Sequence, residues 1–350
     1  MSNTVLVAWS GLVIGLIFGA VGQRTGFCLT SGIRRYAQER DGRMLRAFAL
    51  ACAIALIGSQ ILAAYGYFNL NRSLYIQPGL PWLAYLGGGL LFGYGMMLAN
   101  GCGARALVLL GSGNLRSLVV LLMLGIAGQM TLTGLLAPLR LSITEATTLA
   151  LPFADASLSG VLSHWGVSPT LALTLAVAAV AVPLLLFALA DPLFRRSPRH
   201  ILGGFTIGLL VPAGWFATGY LGADDFDPVS LASLTFIAPA SNSIQYVMLS
   251  TGTALSFGVT VVAGIVAGSL ATALLTGSAQ LQGFPTPQRM VRYIIGGLFM
   301  GVGGAAALGC SIGQGLTGLS TLALGSFIAV AGILVGAWLG VRGPLRLSTV

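Results

Sequence analysis

Nine stretches of this chain run for about twenty residues with scarcely a charge. They lie near 5–22, 44–68, 81–110, 115–137, 169–194, 201–221, 254–275, 292–316 and 326–341. About 20 apolar residues carry a helix across the hydrocarbon core of a bilayer, so each stretch is a candidate span. Charged residues make up 7% of the 350 positions, against about 25% in an ordinary soluble domain. The mean hydropathy is +0.92. Too few charges remain to cover a soluble globule, which sets aside a soluble enzyme, a disordered chain and a nucleic-acid binder. The expected fold is an all-α polytopic membrane protein with about nine transmembrane helices. The first run has no charged leader and no small-residue cleavage site, so it is read as a mature span and not a signal peptide.

The basic residues set an expected orientation. All 17 are arginine, and they gather at one side of the predicted membrane. Arg34, Arg35, Arg40, Arg43 and Arg46 form one cluster, Arg195, Arg196 and Arg199 a second. Arg289, Arg292, Arg342 and Arg346 lie on the same side. The opposite loops carry Glu145, Asp155, Asp224, Asp225 and Asp227 beside Arg72 and Arg140. The positive-inside rule then places the N-terminus outside and the C-terminus in the cytoplasm.

The chain also repeats itself. Gly88, Gly89, Leu90, Gly93, Gly95, Ala99, Gly101 and Cys102 recur, at a constant offset, as Gly296, Gly297, Leu298, Gly301, Gly303, Ala307, Gly309 and Cys310. The expected domains are a first membrane repeat over 1–137, an outer loop and linker helix over 138–200, and a second membrane repeat over 201–350. The linker span flips the second half, so the arrangement reads as two inverted-topology repeats. The spans 81–110 and 292–316 are broken at Gly-Cys. The segments 23–33 and 238–250 are too short and polar to cross, and read as re-entrant pieces.

Chemistry is expected at the breaks. A helix restarting after Cys102 or Cys310 presents free N–H groups and the positive end of its dipole, which suit an anion. A single Gly-Cys in an apolar helix is more often packing; two at matched repeat positions point to a site. Asn100, Gly101, Gly309, Ser311 and Gln314 surround those breaks, and Cys28 lies in the polar stretch Gln23–Gly32. Asn242 and Gln245, on the second short segment, are placed to hydrogen-bond a substrate from the outer side, or else to cap a short helix. Cys52 reads as packing, His164 and His200 as solvated. Arg24 and Arg105 are the arginines nearest the breaks, Arg105 facing either the break or the interface. No Walker A motif, Ser-His-Asp pattern, CxxC pair or intramembrane carboxylate pair is present, so no enzyme, cofactor or metal is expected.

Arg24-Thr-Gly-Phe-Cys-Leu-Thr-Ser-Gly, Asn100-Gly-Cys-Gly-Ala and Gly309-Cys-Ser-Ile-Gly-Gln-Gly resemble the YeeE/YedE sulfur-transport family of bacterial membrane proteins. The resemblance extends over nearly the whole chain and includes Pro239-Ala-Ser-Asn-Ser-Ile-Gln. It implies inverted repeats pinched at the centre by short helices, a path lined by Cys102 and Cys310 with Cys28 as a third member, and thiosulfate as the anion passed along it. It further implies the bacterial inner membrane and a separate cytosolic TusA-like sulfurtransferase as partner. Asn100 and Leu308 depart from the pattern, standing where the family often has a further glycine. Two rival readings remain: a membrane thiol oxidoreductase or sulfurtransferase using the cysteines covalently, and a non-selective small-solute channel.

Overall fold

The apolar runs form helices, and small residues set how closely those helices meet. A computed structural model describes residues 3–153, 155–224 and 229–343. Asp225, Asp227 and Arg346 of the topology argument lie outside these described residues. The first half comprises α1 (Asn3–Thr25), α2 (Leu29–Glu39), α3 (Arg43–Ala64), α4 (Trp82–Leu98), α5 (Gly103–Gly111) and α6 (Leu115–Leu132). The connecting region holds α7 (Ala137–Thr147), α8 (Leu158–His164), α9 (Pro169–Leu189) and α10 (Pro192–Arg195). The second half comprises α11 (Pro198–Phe216), α12 (Ile237–Met248), α13 (Phe257–Leu275), α14 (Pro287–Ala306) and α15 (Leu324–Arg342). Two π-helical segments, Ala217–Leu221 and Gly313–Gly318, interrupt the second half.

The protein is an all-α polytopic membrane protein. Among the described residues, eight helices are long and apolar enough to cross a bilayer. The ninth expected span begins as α14, a 20-residue helix whose Arg289 and Arg292 lower its hydropathy. It is seated in the interior between α4 and α6. The expected outer loop 138–168 is partly ordered. Its strand Thr148–Ala150 pairs antiparallel with Gly79–Pro81, tying the loop to the start of α4.

The principal packings run between the halves. Helix α1 lies on α13, α11 on α3, α4 on α15, and α6 on α14; α4 and α14 meet each other. Close approach is enforced at α4 and α15. A Cβ on Gly93 would overlap the Ile333 carbonyl oxygen, and one on Gly336 would overlap that of Leu90. Backbones this close gain dispersion contacts, which, with no hydrophobic drive inside a bilayer, hold membrane helices together. Helix α9 lies mostly outside this body, against α3. Its end is clamped by Arg46, which pairs with Asp191 at 3.3 Å and lies over the Phe187 ring at 4.8 Å.

The turn between α2 and α3 is fastened by Asp41. Its carboxylate accepts from the Arg43 amide at 3.1 Å and from the Arg43 guanidinium at 2.9 and 2.8 Å. These bonds hold its pKa down to about 2. Because the folded value lies below the unfolded one, the stability gained is full above about pH 4 and is lost as pH falls towards 2. An acid titration of thermal stability in detergent should show this loss in the wild type and a shallower one in Asp41→Asn. Gly93→Val should lower stability by about 1–3 kcal/mol through overpacking. Gly87→Val should leave the melting curve unchanged, because a Cβ there meets nothing within 4 Å.

Candidate functional site

Both Gly-Cys breaks are built by the same backbone device. At the end of α4, Asn100 takes φ 59°. The Gly101 amide bonds Met96 O at 3.0 Å and the Asn100 amide bonds Met97 O at 3.4 Å. At the end of α14, Leu308 takes φ 56°. The Gly309 amide bonds Gly304 O at 2.8 Å and the Leu308 amide bonds Ala305 O at 3.3 Å. This is the Schellman closure, in which a left-handed residue lets two amides satisfy the last free carbonyls of a helix. Left-handed backbone is the reason glycine is favoured just before Gly-Cys. Asparagine tolerates it; leucine holds it under strain.

A cysteine then stands at the start of each element that follows. Cys28 is the N-cap of α2 and Cys102 the N-cap of α5, both with extended backbone. Cys310 precedes the π-helical turn, and its Sγ accepts from the Gly313 amide at 3.3 Å. The amides of Ile312 and Phe236 also face that sulfur, Phe236 being the N-cap of α12. All three cysteines are free and buried, at 4%, 2% and 0% exposure. Sulfur thus occupies the cap position where serine or aspartate usually sits, at the positive end of the following helix.

The three thiols are neighbours. Cys28 and Cys102 meet side chain to side chain. Ser311 and Cys310 also stand near Cys102. Polar atoms without hydrogen-bond partners among the described residues lie among these groups. They are Thr30 Oγ1 beside Cys28, Ser311 Oγ beside Cys102, and Gln314 Oε1. The Gln314 amide group donates to Ala307 O, so its orientation is set. Beyond Cys310 lie Tyr75 and Thr235, which reach each other and stand beside Gly313.

Two cavities are lined by polar residues, and the first of them reaches the thiols at Cys28. One, of about 540 Å³, is lined by Cys28, Asn100, Gly101, Arg105 and His200 among others. The other, of about 760 Å³, is lined by Gln60, Arg72, Asn71, Asp155 and Thr321 among others. Arg105 faces the first cavity with its Nη1 bonded to Gly22 O at 3.1 Å, while Arg24 is exposed.

Of the residues singled out in the sequence, Cys28, Cys102, Cys310 and Ser311 come together, with Gly101 and Gly309 in the breaks and Gln314 buried just behind Cys310. Asn100 is exposed into the cavity. Asn242 is exposed on α12 and Gln245 half-exposed; the structure does not bring either to the thiols. Cys52 packs as expected, its thiol reaching Gly315 O at 3.2 Å. His200 lines the cavity instead of standing in open solvent. Thr30, Tyr75 and Thr235 were not anticipated. Thr30 sits two residues after Cys28 and carries a usable signal; Tyr75 and Thr235 arrive from distant loops and carry none.

The left-handed caps make a testable distinction. Asn100→Gly should keep thermal stability, whereas Asn100→Val should cost roughly 1–2 kcal/mol, read by unfolding in detergent.

Residues 24–339 match the family described as sulphur transport. The thiosulfate transporter TsuA of Escherichia coli (strain K12) is 27% identical over 344 residues, which cover 94% of this chain and 92% of that protein. The thiosulfate transporter TsuA of Spirochaeta thermophila is 27% identical over 342 residues, covering 94% of this chain and 97% of that one. With the match extending from the first break region to the last helix, the chain belongs to the sulphur transport family.

Proposed function

We propose that the protein imports thiosulfate, or another small anion with a terminal sulfur, through the cysteine neck. The observation that carries this reading is the cluster of three buried thiols, each at the start of a helical segment and drawn from both halves of the chain. Thiosulfate brings two negative charges and one soft sulfur. Helix N-termini offer diffuse positive potential, and a thiol offers a weak donor. Weak sites in series let an ion enter and also leave; a lysine or arginine inside the neck would hold a dianion too tightly.

The same reading assigns the arginine-rich side to the cytoplasm of a bacterial inner membrane, with the N-terminus outside. The matched Gly-Cys breaks and the packing of each half's helices on the other's support the reading of two inverted repeats, 1–137 and 201–350, joined by 138–200. Moving a dianion inward against ~100 mV costs about 4.6 kcal/mol. Consumption of the anion in the cytosol, by a separate TusA-like sulfurtransferase, offsets that cost. No covalent step is assigned, although the adjacency of Cys28 and Cys102 is also what covalent thiol chemistry requires. A persulfide trapped on either residue during uptake would favour that second reading.

Radiolabelled thiosulfate uptake into proteoliposomes tests the proposal. Cys102→Ala and Cys310→Ala should each slow uptake at least about tenfold, equivalent to about 1.4 kcal/mol of barrier. Cys52→Ala should retain uptake, and unlabelled sulfate should compete poorly. Unchanged uptake in the double variant, or equal flux of unrelated anions, would contradict the cysteine path.

A further inference from the structure

Arginines that take no part in the thiol row gather beside it. Arg35, Arg105, Arg116 and Arg199 all line the cavity of about 540 Å³ that reaches Cys28. They arrive from α2, α5, α6 and α11. Among the described residues, no carboxylate lines this cavity. Two of the guanidinium groups are held by main-chain oxygens, Arg105 by Gly22 O at 3.1 Å and Arg116 by Gly283 O at 2.7 Å. A carbonyl fixes a guanidinium without neutralising it. The carboxylate nearest Arg35, that of Asp41, is 3.9 Å away and already takes two bonds from Arg43. A buried donor-acceptor atom, His200 Nδ1, lacks a partner among the described residues and belongs to a residue lining the same space.

Four like charges around one partly open cavity repel one another, even with Arg35 and Arg199 exposed to solvent. A bound anion relieves it, and guanidinium forks match the oxygens of a tetrahedral oxyanion. The basin is one-sided. The position matching Arg105 in the second half is Gly313, and the cavity of about 760 Å³ is lined by both Arg72 and Asp155.

We propose that this cavity is a second anion site, separate from the thiols, which takes a tetrahedral dianion of the sulfate, thiosulfate or phosphate class through Arg35, Arg105, Arg116 and Arg199. Its role in transport rests on the reading above: an anion leaving Cys28 is received by the basin before release. Its capacity to bind does not depend on that reading. A consequence is that sulfate on the basin side occupies the exit and slows thiosulfate arrival.

Binding of radiolabelled inorganic sulfate to the delipidated full-length protein in neutral detergent at low salt tests the site without any flux. One sulfate per chain should bind. Arg199→Gln and Arg105→Gln should each weaken binding at least about tenfold, one decade of the dissociation constant. Arg199 is exposed, so its replacement leaves the fold intact and keeps the test decisive. The Cys102→Ala/Cys310→Ala double variant should bind sulfate within about twofold of wild type, since a site apart from those thiols loses no contact. Retained sulfate binding with uptake lost at the cysteines upholds both readings; retained binding with uptake unaffected upholds the basin alone. Absence of saturable binding, or wild-type affinity in both arginine variants, overturns it. So does phosphatidylglycerol retained through delipidation in the wild type but not in Arg199→Gln, with no sulfate bound, because the basin is then a lipid headgroup site.

Discussion

Backbone polarity inside a bilayer governs this structure. A helix that stops in the hydrocarbon region exposes carbonyls at one end and, where the chain resumes, amides at the next start. Neither tolerates lipid. At Asn100-Gly101 and Leu308-Gly309 the carbonyl ends are closed by the left-handed caps. The amide starts are left facing inward, towards sulfur. The neck is therefore a consequence of how the breaks are completed. Main-chain amides face the Cys310 sulfur there, from Gly313, Ile312 and Phe236.

The breaks meet because α4 and α14 approach backbone to backbone along the glycine-rich runs that precede each cysteine, at contacts such as Gly95 with Gly296 O and Gly303 with Gly88 O. Contacts such as Gly93 with Ile333 O and Gly336 with Leu90 O draw α4 against α15 as well. Interlocking of the halves leaves little freedom for either to move alone. The short helix α2 then adds a third thiol beside Cys102 and opens the row to the arginine-lined cavity. The two cavities differ in charge: one holds both Arg72 and Asp155, while the one that reaches Cys28 is lined by four arginines and no carboxylate.

Much of this was legible in the residues. Periodic glycines ending in Gly-Cys marked both breaks. The short segment 238–250 is close to α12, and α5 restarts after Cys102; the segment 23–33 instead straddles the end of α1 and the first turns of α2, which continues to Glu39. The departures at Asn100 and Leu308 fell on the positions with positive φ. Other features left no trace. The π-helical turn at Gly313–Gly318 has no distinguishing residue pattern, because it depends on a register of main-chain bonds imposed by neighbours. Arg35 and Arg199 read only as topology signals and Arg116 drew no reading at all; only the packing of α2, α5, α6 and α11 brings them round one cavity with Arg105. Arg105, read from the sequence as facing either the break or the interface, bonds Gly22 O and lines the cavity that reaches Cys28. Asn242 and Gln245 were placed by analogy with a re-entrant loop, and the turn of α12 directs Ser241, not Asn242, into the protein, where it bonds Gly125 O.

An experimental structure determined with thiosulfate present, with the anomalous signal of its sulfur atoms located, addresses the central claim directly. The account predicts anion density against the thiol of Cys102 or Cys310, with its terminal sulfur towards the protein sulfur. Density confined to the lipid-facing surface or to the outer cavity, with the thiol row unvisited at saturating thiosulfate, would contradict it.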